Sequence, residues 1–317
     1  DAGIDGVWDE QIDTFVEFTA SWSPLDNGYA GARRAVEQAV AARKVLRDFS
    51  PWGHQRGNVP KSSLDGARET VLRPPAQRDT GLARRYRIAD GEQLDAVGLV
   101  KRAGGEPGQF VPVVNVALAS WVALAAHETP ANLRTLKDAC RDLGLAQVVR
   151  PDLPCAAAFG FDASILLRSR WRSVFTEQGL DGDPREWGQQ HVAPLLRTLS
   201  EPYPYVVCLV ADGDHMGRAV GTLASADEHR AFSRKLAEFA NQAREIVEQD
   251  HRGSLVYAGG DDILAFLPLP EALACADDLR RRFAHDIGAA APGIPEDQRP
   301  TRSEERRVGK ECCTPCR

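Results

Sequence analysis

Methionine is nearly absent from this chain of 317 residues: the one copy, Met216, lies far from the first residue, Asp1. The sequence opens without an initiator, and the expectation is that the natural protein begins upstream. Lysine is scarce as well. Only six of the 39 cations are Lys, set against 45 acids for a net charge of −6, and the arginine excess reads as base composition rather than a basic groove. The totals therefore lack the electrostatic footprint of a free-standing nucleic-acid binder. No apolar run suits a membrane span; the longest, Phe110 to Ala126, is broken by Pro112, Asn115 and Ser120 and reads as a buried helix or strand. No charged and apolar leader with a cleavage site precedes it, so the expected location is the cytoplasm, with no membrane partner.

Cysteine is sparse too, and three of the seven, Cys312, Cys313 and Cys316, fall in the last stretch. Residues 302–312 read R-S-E-E-R-R-V-G-K-E-C, which resembles a translated sequencing adapter. We expect residues 302–317 to be non-native read-through within a disordered tail, 291–317, and keep them out of the fold reasoning. Five cations and three anions leave with them, giving 34 − 42 = −8 for the remainder. Cys313-Thr-Pro-Cys316 then carries no redox or zinc reading. Cys140, Cys155, Cys208 and Cys275 sit mostly in apolar surroundings, as reduced core thiols do.

What remains is ordinary globular composition, 43% hydrophobic and 26% charged, which excludes disorder, collagen and coiled coil and leaves room for two or three domains. Residues 1–50 combine a predicted strand, Phe15 to Ser21, with an Ala-rich helix from about Tyr29 to Arg47. One strand and one helix cannot bury a core, so the segment reads as the end of a domain begun upstream. Residues 51–200 form a mainly helical middle region, with loops and short helices to Gln109. Helical spacing then runs from Val116 to Leu145, Asp162 to Phe175 and Trp187 to Leu199.

Residues 201–290 are the most legible. Tyr205 to Ala211 is an apolar, β-branched run of strand length that ends in Asp212-Gly-Asp214. Ser225-Ala-Asp-Glu228 fits a capping box, and Phe232, Leu236, Phe239, Ala240, Ala243 and Val247 share one face of the helix that follows to about Gln249. Ser254 to Ala258 and Ile263 to Leu267 flank Gly259-Gly-Asp-Asp262 with hairpin spacing. Pro270 opens a second helix. The order strand, helix, strand, strand, helix predicts an α+β fold with an incomplete ferredoxin-like palm, because no fourth strand is legible in residues 287–300.

Carboxylates at a strand end and in an adjacent hairpin turn suit a hard cation. Asp212, Asp261 and Asp262 are the candidate metal ligands, for Mg²⁺ or Mn²⁺ in a two-metal arrangement, with Asp261 and Asp262 the candidate catalytic pair. Gly259 and Gly260 permit a tight turn close to a nucleotide, and Gly213 and Gly217 would let backbone amides approach phosphates. Taken alone, Gly-Gly-Asp-Asp is also a common solvated turn. Three acids at strand ends flanking one capped helix favour the functional reading.

Three segments, Val210-Ala-Asp-Gly-Asp-His-Met-Gly217, His229-Arg-Ala-Phe-Ser-Arg-Lys-Leu236 and Leu255-Val-Tyr-Ala-Gly-Gly-Asp-Asp-Ile-Leu-Ala265, resemble the second palm domain of the large subunit of type III CRISPR effector complexes, Cmr type (subtype III-B). Pro60 to Glu69 and Ala96 to Arg102 resemble that family's middle region, so the likeness spans about residues 8–285 and implies that the domain ending in residues 1–50 is palm-like. Gly-Gly-Asp-Asp by itself is shared with GGDEF-like nucleotide cyclases.

The resemblance implies an antiviral subunit whose palm binds ATP and cyclises it to cyclic oligoadenylates once the complex, with its guide RNA and partner subunits, binds target RNA. It also implies a nucleotide contact for Ser233, whose plain alternative is an exposed helix serine. The alternatives are a non-catalytic scaffold of the complex and a diguanylate-cyclase-like enzyme using GTP. As given, the chain is expected to be inactive on its own. Relatives carry Lys-Cys-Ser-Leu-Cys-Gly where this chain has Lys61-Ser-Ser-Leu-Asp-Gly66; with Ser62 and Asp65 at the thiolate positions of this degenerate zinc-finger segment, no zinc is expected there. The family's nuclease His-Asp motif has no counterpart beyond His285-Asp286, which reads as a helix-end pair.

Overall fold

The computed structural model describes residues 2–13, 15–26, 28–46, 56–86, 88–89, 91–104, 111–148, 150, 152–288 and 300–310, with the backbone alone for 2–5, 82, 84–85 and 302–310. Contacts divide the chain into two units, Asp1–Pro107 and Gly108–Arg317.

The first unit contains helices α1 (Ala2–Asp13), α2 (Gly28–Val45), α3 (Thr80–Arg85) and α4 (Ala96–Ala103), and the described residues between them are mostly irregular. Val7, Val71 and Ala96 form a small core against Trp8, Ile12 and Leu99. The Gln11 amide fixes α1 to it, donating to the Glu69 carbonyl at 2.8 Å and accepting from the Ala96 N–H at 2.8 Å. The strand expected over Phe15–Ser21 is corrected. Residues 16–24 take no regular structure, and Phe18 and Trp22 are 88% and 87% exposed. β propensity cannot hold a strand that has no ladder partner, and none pairs with this segment among the described residues.

Residues 60–70 fold back on themselves through a bridge between Lys61 and Glu69, with Gly66 taking the positive φ that the turn requires. Buried Ser62 donates its hydroxyl to Asp95 Oδ1 at 3.0 Å, and the same oxygen caps α4 by accepting from the Gly98 N–H. Asp65 accepts from the N–H groups of Ala67 and Arg68 and from the Arg68 guanidinium. Burial works to raise the Asp65 pKa, yet these bonds outweigh it and hold the carboxyl below its ordinary value.

In the second unit, α5 (Val113–Glu128), α6 (Pro130–Leu143), α7 (Pro154–Ala157), α8 (Trp171–Gln178), α9 (Pro184–His191) and α10 (Ala193–Thr198) surround a core that includes Leu118, Leu136, Phe159, Ile165 and Leu195. Their ends follow local chemistry. Pro130 starts α6, Asp183 caps α9 by accepting from the Arg185 and Glu186 N–H groups, and left-handed Gly144 and Gly179 stop α6 and α8.

The chain then enters the α+β part: β1 (Tyr205–Asp214), α11 (Met216–Thr222), α12 (Ala226–Glu245), β2 (Ser254–Gly259), β3 (Asp262–Pro268), α13 (Ala272–Phe283) and β4 (Thr301–Lys310). The antiparallel sheet has the order β2-β3-β1-β4, which is the ferredoxin-like order. Ser225 caps α12 as expected, its Oγ accepting from the Glu228 N–H, while the Glu228 carboxylate reaches one residue beyond the cap and accepts from the Ala224 N–H. The α12 helix gives way to a π-turn over Ile246–Asp250 instead of running regularly to Gln249.

No strand forms within the described part of residues 287–300, and the fourth strand of the sheet is built by residues 301–310, nearly all of them in the stretch expected to be read-through. β4 pairs with β1 over its whole length, from Tyr205↔Lys310 to Asp214↔Thr301. The segment is charged and lacks apolar alternation, so its sequence gave no strand signal; it is an edge strand, held by the backbone ladder. Residues 291–299 and 311–317, with Cys313 and Cys316, lie outside the described residues.

One sheet face is sealed. Val207, Leu209 and Ala211 of β1 and Ile263, Ala265 and Leu267 of β3 pack against Phe232, Phe239, Leu279 and Phe283. On the other face α5 and α7 cover only one end, through Val116, Ala117 and Ala156 against Val206 and Phe266. At that end both ring nitrogens of buried His251 face carboxylates, Nδ1 to Glu271 at 3.3 Å and Nε2 to Asp278 at 2.9 Å. Glu271 also receives Arg252 and the Ser120 hydroxyl of α5.

Burial raises the thiol pKa values of Cys140 to about 12 and Cys155 to about 11. Both are therefore neutral thiols well above pH 7. Alkylation of the native protein at pH 8, mapped by mass spectrometry, should leave these two cysteines unmodified until the protein is unfolded.

Candidate active site on the open face of the sheet

Alternation along β1 sets the direction of every side chain at its C-terminal end. Because Ala211 is buried among the helices, Asp212 points with Val210 to the uncovered face, where Val210 is 44% exposed and Asp212 is exposed. The same logic applies to β3: Ile263 is buried, so Asp262 faces the open side. The two strands pair as Val210↔Leu264 and Ala211↔Ile263. Carrying that register one residue further sets Asp212 opposite Asp262, a separation of about 5 Å between Cβ atoms. Like charges so placed repel, and a bound cation would remove the repulsion.

Asp261 takes a different position. The side-chain direction at Gly213 points to the helix-packed face, and a Cβ there would lie 2.7 Å from Asp261 Cβ, 2.9 Å from Met216 Cγ and 3.1 Å from Phe283 Cζ. Gly213 is thus required by the close approach of the hairpin turn. The turn itself is the two-residue loop Gly260-Asp261 closed by the Gly259↔Asp262 pair, and Gly260 supplies its positive φ of 85°. The structure therefore sets Asp212 and Asp262 on one face and holds Asp261 beside Gly213. Among the described residues no three His, Cys, Asp or Glu side chains gather around one point as a metal-binding group. In kind, the exposed oxygen-only pair Asp212 and Asp262 fits Mg²⁺ or Mn²⁺, which bind few protein carboxylates and retain water.

The other candidates surround this end of the sheet. Gly217, second in α11, is exposed with open space where a side chain would be. Ser233 is exposed on α12, one turn before Leu236, whose Cβ is the nearest atom to the side-chain direction of Gly260 at 3.8 Å. His215 adopts a left-handed conformation at the start of α11, and Asp214 turns toward β4, accepting from Thr301 Oγ1 at 3.4 Å. His285 pairs with Asp286 at 2.8 Å beyond the end of α13. Sequence reasoning missed Tyr257 of β2, which lies on the open face and is 53% exposed; the signal for it was a lone exposed aromatic two residues before the glycines.

Comparison with known proteins bears on this region. The family model "Cas10/Cmr2, second palm domain" matches residues 205–301. The CRISPR system Cmr subunit Cmr2 of Pyrococcus furiosus is 30% identical over 125 aligned residues, which cover 31% of this chain and 14% of that relative. Among solved structures, a chain of the type III-B Cmr-β complex bound to cognate target RNA superposes with a TM-score of 0.54 and 14% identity, over 81% of this chain and 41% of that one. The apo state of the same complex gives a TM-score of 0.46 at 14% identity. The chain thus spans less than half the length of the relatives it matches.

The close approach at Gly213 and the open space at Gly217 make opposite predictions. Gly213→Ala should destabilise the protein by roughly 1–3 kcal/mol, because Asp261 or Phe283 must shift. Gly217→Ala, at an open helical position, should be neutral or stabilising by up to about 1 kcal/mol. Urea denaturation of both variants measures the contrast.

Proposed function

With residues 205–301 a second palm domain of the Cas10/Cmr2 kind, we propose that this domain binds ATP and joins it into cyclic oligoadenylates within a type III-B effector complex. The observation that carries this reading is the facing pair Asp212 and Asp262 on the uncovered end of the sheet, beside a glycine turn that holds Asp261 against Gly213. Such a site is reachable from solvent, is fixed by buried strands on either side, and has carboxylate oxygens as its reactive groups. The complex's other subunits, its guide RNA and a target RNA are the proposed partners, and the cytoplasm its proposed place.

In the proposed reaction a ribose 3′-oxygen forms a new bond to the α-phosphorus of a second ATP. The bond from that phosphorus to the pyrophosphate oxygen breaks, pyrophosphate leaves, and the hydroxyl proton passes to solvent. Asp212 and Asp262 are the residues that would hold Mg²⁺ or Mn²⁺, with Asp261 joining them only if the turn shifts away from Gly213; the metal when bound supplies charge neutralisation for the phosphates and acidifies the attacking hydroxyl. The chain's own contribution is position. Paired strands keep Asp212 and Asp262 on one face, Gly213 and Gly260 let the turn lie close to β1, and the open space at Gly217 leaves room for phosphate oxygens. Ser233 stands on the neighbouring helix as a proposed nucleotide contact.

A second reading, a palm that serves only as a scaffold, is favoured by one observation: Asp261 does not join Asp212 and Asp262 in a single cluster. The two readings separate in one experiment. The complete subunit, assembled with its partners and target RNA, is incubated with labelled ATP or GTP, alongside the Asp261→Asn and Asp262→Asn double variant. Cyclic oligoadenylate from the wild type and a fall to background in the variant, with assembly unchanged, is the expected result. Undiminished synthesis in the variant would reduce the motif to a turn. No product from the wild type would favour the scaffold, and product from GTP alone a diguanylate-cyclase-like enzyme.

A further inference from the structure

Tyr257 reaches the open face only because β2 contains a bulge. Leu255 pairs with Ala265 and packs into the helix-covered core, so strict alternation would send Tyr257 into the same core. Instead the register steps from Leu255↔Ala265 to Tyr257↔Leu264, with Val256 as the extra residue. Ala258 then takes the inward direction and packs against the core, and Tyr257 turns out to the side that carries Asp212 and Asp262.

The ring does not stand away from the sheet. A Cβ on Gly259 would overlap the Tyr257 hydroxyl and ring, so the phenol lies along the strand over Gly259, and Gly259 pairs directly with Asp262. Gly260 is glycine because its φ is 85°, whereas the φ of Gly259 lies outside the left-handed region. What Gly259 provides is room for the ring. The phenol makes no hydrogen bond among the described residues, and with the residue 53% exposed the side chain offers an aromatic surface to solvent on the face that carries the carboxylates.

We propose that Tyr257 is a positioning residue that stacks on the base of the bound nucleotide, and that Gly259 is its seat. The inference rests on the reading of this site as a nucleotide site and goes beyond it by assigning recognition of the base to a side chain outside the acidic motif. Aromatic platforms take any base by its π-face, so this contact positions a nucleotide without selecting adenine over guanine.

The test is equilibrium binding of ATP and of inorganic tripolyphosphate, each with Mg²⁺, to the complete subunit assembled with its partners, as wild type and as the variants Tyr257→Phe, Tyr257→Ala, Gly259→Ala and the double variant of the last two. Thermal unfolding midpoints report on folding. Tyr257→Phe should bind ATP within about twofold of wild type, and Tyr257→Ala roughly 5- to 100-fold more weakly. Tripolyphosphate, which has no base, should bind all variants alike. Gly259→Ala should weaken ATP to a similar extent by displacing the ring, and adding it to Tyr257→Ala should cost nothing more. Unchanged ATP affinity in Tyr257→Ala, or an equal loss for tripolyphosphate, overturns the assignment while leaving the nucleotide reading intact. A wild-type complex that binds neither ligand overturns both. Should Gly259→Ala fail to fold, the two Tyr257 variants measured against both ligands decide the question.

Discussion

A strand paired along both edges and packed on most of both faces has little left to present. β1 is in that position: β3 and β4 take its edges, Val207, Leu209 and Ala211 are sealed under helices, and Val206 is covered by α5. Its uncovered positions lie at the C-terminal end of one face, where Val210 and Asp212 sit. Burial of each large side chain is worth about 1.5–3 kcal/mol, and a one-residue slip would send Asp212 into the apolar core while expelling Leu209. The hydrophobic alternation of β1 therefore fixes the face on which the acid emerges.

Charge is distributed unevenly along the same sheet. At the end where β2 begins and β3 stops, His251, Arg252, Glu271 and Asp278 satisfy one another and Ser120 joins them, while Glu248 receives Arg244 and the Leu255 N–H. At the other end Asp212 and Asp262 oppose like with like. The Ser120 hydroxyl ties α5 to the paired charges where the palm is covered, and the two like charges lie where it is open. Repulsion between two exposed carboxylates is small beside the buried contacts that hold their strands, so the arrangement is tolerated without a ligand and improved by a cation.

The elements read best from sequence were those whose local signals agreed. Ser225 and Glu228 announced α12, Tyr205–Ala211 announced β1, and the spacing around Gly259–Asp262 announced the hairpin. Failures have a common cause, since strand formation is decided by the partner. Phe15–Ser21 had the right residues and found no ladder, whereas Thr301–Lys310 had the wrong ones and found β1. The site was legible as a set of acids at strand ends, but the division of Asp261 from Asp262 was not, because a single turn directs adjacent residues to opposite faces. Tyr257 escaped notice for a related reason: its direction depends on a bulge, and a bulge leaves no mark in the alternation of so short a strand.

The knuckle at residues 60–70 has a separate significance. Its closure runs through a serine hydroxyl, the Asp65 and Asp95 carboxylates, the Arg68 guanidinium and the Lys61–Glu69 pair. None of these groups carries a sulfur atom. A fold-back joined this way cannot be opened by an oxidant or closed by a reductant, and its integrity answers to acidity and ionic strength instead. This part of the molecule would keep its shape through oxidative conditions that disable a thiolate-bound knuckle.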